Sequence, residues 1–126
     1  MQLSFIKRTS NAYHSCKKRA KKVGEFLDYT VDGLRDLIAA ALQQPCPYCG
    51  TTLTVKNFAP DHRTPLSRGG SHCLGNVIVC CRPCNEVKGI LTELEFTKLV
   101  QLLREYPPAV RTDVIARLRF GGRRGR

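Results

Sequence analysis

Two sets of residues in this chain have types and spacings suited to chemistry. Cys46 and Cys49 form one C-x-x-C pair and Cys81 and Cys84 a second; Asp61-His62, Asn76 and Asn85 lie between and just beyond them. Two thiolates three positions apart on a turn both reach one ion at a zinc–sulfur distance of about 2.3 Å, and a second such pair completes a tetrahedron. A tetrathiolate site leaves no open position, so zinc held by Cys46, Cys49, Cys81 and Cys84 is expected to be structural. Only Cys81 gives the C-x-x-C spacing with Cys84, so its neighbour Cys80 is expected to face the core, and Cys16 and Cys73 to be bystanders. A zinc finger of two cysteines and two histidines is excluded, because Leu66, Ser67 and Arg68 stand where the second histidine after His62 belongs. A zinc deaminase is excluded too, since His14-Ser15-Cys16 does not supply an H-x-E.

Asp61, His62 and Asn85 have the composition of a hydrolytic site. Phosphodiester hydrolysis needs an activated water and a means of holding charge on the phosphate and the leaving oxygen. A neutral histidine takes a proton from water near pH 7. The carboxylate of Asp61 and the carbonyl oxygen of Asn85 are hard donors, suited to Mg²⁺ or Mn²⁺ more than to a second zinc. Each residue also has a plainer alternative: a loop cap for Asp61, a packed strand histidine for His62, a turn residue for Asn76, a helix N-terminal residue for Asn85. Neighbouring residues on a regular strand point to opposite faces, so Asp61 and His62 serve one site only if the chain bends there.

The run Cys46-x2-Cys49, Asp61-His62-Arg63-x-Pro65-Leu66-x2-Gly69-Gly70-Ser71-His72, Asn76-Val77, Cys81-x2-Cys84-Asn85-x2-Lys88-Gly89 resembles the HNH endonuclease family. The likeness covers about residues 45–89, and residues 20–45 resemble the basic and lead-in helices that precede the core in some members. It implies an α+β protein with a ββα-metal (HNH, His-Me finger) core, a structural zinc on four cysteines and flanking helices. It further implies a DNA endonuclease leaving 5′-phosphate and 3′-hydroxyl ends, with His62 as general base and Asp61 and Asn85 as ligands of one catalytic divalent ion. Asn76 matches the central asparagine, which braces the metal loop and orients the base. Asn85 departs from the founding pattern, standing where a histidine gave the family its name. His72 is expected to brace its loop rather than act as a second base.

The elements that must position these residues follow from periodicity. Residues 1–10 are expected to be a loose arm and 11–23 a basic helix, with a strand-like run at Phe26–Tyr29. A helix over about 31–43 is capped by Thr30 or Asp28 and ended by Pro45. A knuckle at Cys46–Gly50 precedes two candidate strands, about 52–55 and 57–61, with a turn at Lys56-Asn57. Residues 63–75 read as a loop and Val77–Cys80 as a strand. A helical turn is expected from Pro83 to Lys88, a helix after the capping-box sequence Thr92-Glu93-Leu94-Glu95, a short helix over 109–119, and a basic tail from Phe120. The chain divides into a basic lead-in (1–44), a zinc-stapled nuclease core (45–90) and a C-terminal helical part (91–126), within one compact domain.

The charge balance points to a polyanionic partner. The chain carries 21 Lys and Arg against 10 Asp and Glu, a formal charge of +11. Residues 1–24 hold Lys7, Arg8, Lys17, Lys18, Arg19, Lys21 and Lys22 and no acid, and the C-terminus is rich in arginine. Lys17, Lys18, Arg19, Lys21, Lys22, Arg63 and Lys88 are the candidate contacts to DNA, expected to be double-stranded; plain surface charge is the alternative for Arg63 and Lys88. No signal peptide and no apolar run of about 20 residues is visible, so an intracellular, cytoplasmic setting with reduced thiols is expected. Two rivals stand beside the nuclease. A non-catalytic zinc-stapled nucleic-acid-binding module would not need Asp61, His62 and Asn85 together, and a protein-interaction zinc domain would turn its basic ends to an acidic partner.

Overall fold

A computed structural model describes residues 3–124, with side chains described through residue 119. It is a mixed α and β structure with a two-stranded antiparallel sheet and five α-helices among those residues. The expected loose arm is instead the start of one long helix, α1 (Leu3–Lys22). Phe5 and Thr9 explain the difference, because both are buried. The Phe5 ring meets Phe58 edge-on at 6.0 Å, and Thr9 Oγ1 accepts a hydrogen bond from Arg35 Nε at 3.0 Å. Residues 26–29 form a bend and not a strand, with Phe26 90% exposed.

Of the two candidate caps, Thr30 starts α2 (Val31–Ala41), its hydroxyl accepting from the Gly33 amide at 3.0 Å. The helix stops four residues short of Pro45. Gln43 turns to a positive φ of 68° and its amide donates to Leu53 O at 2.8 Å. The expected strand at 52–55 is reduced to a single bridge, Pro45 to Thr52. Asn57 takes up the backbone groups there: its Oδ1 accepts from Thr54 N and its Nδ2 donates to Thr52 O.

The sheet is made by β1 (Phe58–His62) and β2 (Val77–Cys81), with Phe58 opposite Cys81 and His62 opposite Val77. Every residue of β2 is buried, as its β-branched run requires. α3 (Arg82–Lys88) follows directly and packs on both strands, completing a ββα unit. Between the strands the chain makes a loop with two short 3-10 turns. Gly70 allows that loop to close: a Cβ there would lie 1.9 Å from Thr64 O.

α4 (Glu93–Leu103) begins with the expected capping box. The Phe96 ring sits edge-on to Tyr48, 4.8 Å away, against the cysteine knuckle. α5 (Pro108–Arg124) is longer than the expected helix, running on through the stretch expected to be a tail, and it packs on α3. Arg126, expected in that tail, lies outside the described residues. Thr92→Ala removes the acceptor for the Glu95 amide and is expected to cost about 1 kcal/mol of stability in urea titrations. Glu95 also pairs with Arg68, and this with its hydrogen bond to Thr92 N holds its carboxyl down at about 2. Because the folded-state value is depressed, the stability it contributes is present above the ordinary carboxylate range. It is lost as pH falls from that range towards about 2. Glu95→Gln is therefore expected to flatten the dependence of stability on pH in that window.

Candidate metal centre and catalytic cleft

The two C-x-x-C pairs meet. The sulfurs of Cys46, Cys49, Cys81 and Cys84 all lie within 4.8 Å of one another, with Cys49 and Cys81 Sγ 3.6 Å apart. A tetrahedron with metal–sulfur bonds of about 2.3 Å has edges of about 3.8 Å, so the four sulfurs suit a single metal ion such as zinc. The knuckle is preformed by the Cys46 N–H to Thr51 O and Gly50 N–H to Cys46 O hydrogen bonds, while the end of β2 and the start of α3 supply the other pair. Hydrogen bonds with Cys81 and Cys84 pull the Cys46 thiol down, while those with Cys46 and Cys81 push the Cys84 thiol up. The four thiolates together would hold a divalent ion, whose charge would stabilise all of them. Cys80 points away from the cluster into the core, fully buried, and Cys16 and Cys73 are not part of it.

A cleft of about 620 Å³ is lined by Asp61, His62 and Asn85 together with α1 residues including Arg8, Cys16 and Arg19. The structure thus brings to one cavity the three residues singled out for hydrolytic chemistry. His62 is the last residue of β1, paired in regular register with Val77 as Asp61 is with Ile78, and every residue of β1 lines the cleft. Desolvation by burial, followed by the charge of Arg19, holds the His62 pKa below the ordinary histidine value, against the opposing pull of Asp61.

Asn76 does not line the cleft. Its carboxamide clasps the neck of the loop: Oδ1 accepts from Thr64 N, and Nδ2 donates to Thr64 O and Ser71 O, each at 3.0 Å. Its own carbonyl accepts from the Arg63 amide at 2.8 Å. The side chain of His72, 8% exposed, has Nε2 3.0 Å from Glu25 Oε2, which ties the loop to the segment after α1.

The expected DNA contacts divide. Lys17, Lys18, Arg19, Lys21 and Lys22 lie on the C-terminal half of α1, and Arg19 reaches the cleft. Arg63 is half exposed but engaged, pairing with Glu93 and donating to Gly75 O at 3.2 Å. Lys88 departs from the expectation of a surface cation. Its side chain is fully buried, with Nζ 2.9 Å from both Asp61 Oδ2 and the His62 carbonyl oxygen. The sequence held a signal for this: Lys88 stands four residues after Cys84 and so shares its helix face, the face turned to the sheet. Arg8 and Arg82 also line the cleft without having been singled out. Arg8 was hidden by the expectation of a loose arm and Arg82 by its place beside a metal-ligand cysteine.

Comparison with known families bears on this geometry. Residues 46–100 match the sequence profile of the HNH endonuclease family, a span holding both cysteine pairs, Asp61, His62, Asn76 and Asn85. No curated protein matches the chain.

Proposed function

We propose that this protein is a metal-dependent endonuclease that hydrolyses double-stranded DNA, a reading supported by the match of residues 46–100 to the HNH endonuclease profile. The observation that carries this reading is the convergence of Asp61, His62 and Asn85 on one cleft, beside a four-sulfur cluster that fixes the ends of the ββα unit.

In this mechanism His62 takes the proton of the attacking water. Burial and the neighbouring Arg19 favour the neutral ring, the form that accepts a proton. Asp61 and Asn85 would hold a Mg²⁺ or Mn²⁺ ion, and both offer the oxygen donors such ions take. Bound there, the ion supplies stabilisation of charge on the scissile phosphate and the departing oxygen. Asn76 keeps the loop after His62 closed and so fixes where β1 ends. Cys46, Cys49, Cys81 and Cys84 would hold a structural zinc.

The cationic C-terminal half of α1 would follow the phosphate backbone, with Arg19 nearest the reacting phosphate. Arg19→Ala is expected to weaken DNA binding and to lower the slope of log affinity against log salt by about 0.9, the signature of one lost phosphate contact. Fluorescence anisotropy over a salt series measures both.

Supercoiled plasmid incubated with zinc-loaded protein tests the reading. Nicked or linear product is expected with Mg²⁺ or Mn²⁺ and none when neither is added. Tight DNA binding with no cleavage under any of these conditions would leave a non-catalytic binding module in its place. No helix among the described residues is long and apolar enough to cross a membrane.

A further inference from the structure

Lys88 and Thr9 are the buried polar or charged residues of the described core, and Lys88 alone of the two carries a charge. Enclosing an ammonium is costly unless it is paired and hydrogen-bonded, and an exposed lysine would meet any need for solubility without that cost. The contacts of Lys88 Nζ are specific. It lies 2.9 Å from Asp61 Oδ2, a contact of charge without hydrogen-bond alignment, and it donates to His62 O, also at 2.9 Å. One ammonium therefore holds the side chain of one residue and the main chain of the next. Asp61 and His62 are the last two residues of β1, and both line the cleft together with the rest of that strand. Lys88 ends α3, the helix that also carries Asn85, so the same contact ties that helix to the end of β1.

We propose that Lys88 is a positioning residue, not a contact to DNA: it fixes the end of β1 at the cleft by holding the Asp61 carboxylate and the His62 carbonyl on a single buried ammonium. Its kinetic consequence rests on the nuclease reading above; its structural consequence does not. Lys88→Met keeps an unbranched side chain, one atom shorter, and removes the charge. In the zinc-loaded variant the cleavage rate at saturating DNA is expected to fall by about 100-fold, the order expected from a displacement near 1 Å. DNA affinity and its salt slope are expected to stay within about twofold of wild type, since no phosphate contact is lost. The amides of Arg63 and Thr64, which donate to Asn76, are expected to exchange hydrogen about tenfold faster while those of β2 do not, a local loosening.

Weaker binding with a reduced salt slope and an undiminished rate at saturation would overturn the proposal and make Lys88 a phosphate contact. Unchanged rate and unchanged exchange would overturn it as well, as would faster exchange throughout the domain. If Lys88→Met does not melt cooperatively, Lys88→Gln, which keeps a donor amide, is judged by the same measurements. A wild-type protein that cuts no DNA would sink the nuclease reading, and hydrogen exchange would still decide the assignment of Lys88.

Discussion

His62→Ala is expected to slow DNA cleavage by a factor of about 10² to 10⁴, the usual contribution of a positioned general base. DNA binding should change little, because binding is expected to rest on α1 and not on the cleft imidazole. The substitution removes a half-buried ring at the end of β1, where the register is also held by the Arg63 N–H to Asn76 O bond, so the variant is expected to fold. Single-turnover cleavage with DNA in excess of its dissociation constant separates the chemical step from binding. His62→Gln sharpens the comparison, keeping hydrogen-bonding capacity but no basic nitrogen. Cleavage by either variant at the wild-type rate would remove His62 from the mechanism.

Removal of the cluster metal is expected to have the larger effect on the fold. Zinc binding contributes on the order of 10 kcal/mol to folding in small zinc domains, comparable with or greater than the whole stability of a domain this size. Here the four sulfurs fasten the knuckle before β1 to the junction of β2 and α3. The Tyr48–Phe96 contact then hangs α4 on that knuckle. Dialysis against a strong zinc chelator should therefore abolish the cooperative thermal transition, and zinc should restore it. Cys81→Ser is expected to act in the same direction, while Cys73→Ser, away from the cluster, should melt like wild type. A chelated protein with an unaltered melting curve would show that the cysteine cluster is not what holds the fold. Metal analysis of the purified chain identifies the ion.

The parts of this structure legible in the sequence are those set by local chemistry. Paired cysteines at fixed spacing, the β-branched run of β2 and the Thr92-x-x-Glu95 box each encode their geometry within a few residues. What escaped the sequence was set by distant partners. The first ten residues read as a loose arm, yet Phe5 and Thr9 are fixed by Phe58 and Arg35. The expected strand at 52–55 failed because Asn57 satisfied its backbone groups from a turn. Lys88 looked like a surface cation, because its enclosure depends on Asp61, 27 positions earlier in the chain. The placing of Asp61 and His62 on one cavity is a requirement of the chemistry and cannot be read from their adjacency alone.

The clasp made by Asn76 has a consequence for how the molecule can be altered. One carboxamide satisfies both main-chain groups of Thr64, so it imitates one more rung of the ladder after His62 has met Val77. The segment beyond that rung is sealed off from the sheet's alignment. Extra residues spliced into it so as to spare Gly70, the Arg68–Glu95 pair and the His72–Glu25 contact would add a closure entropy that grows only with the logarithm of length. That makes it a natural graft point, where a recognition peptide could be displayed beside the cutting centre without shifting the imidazole.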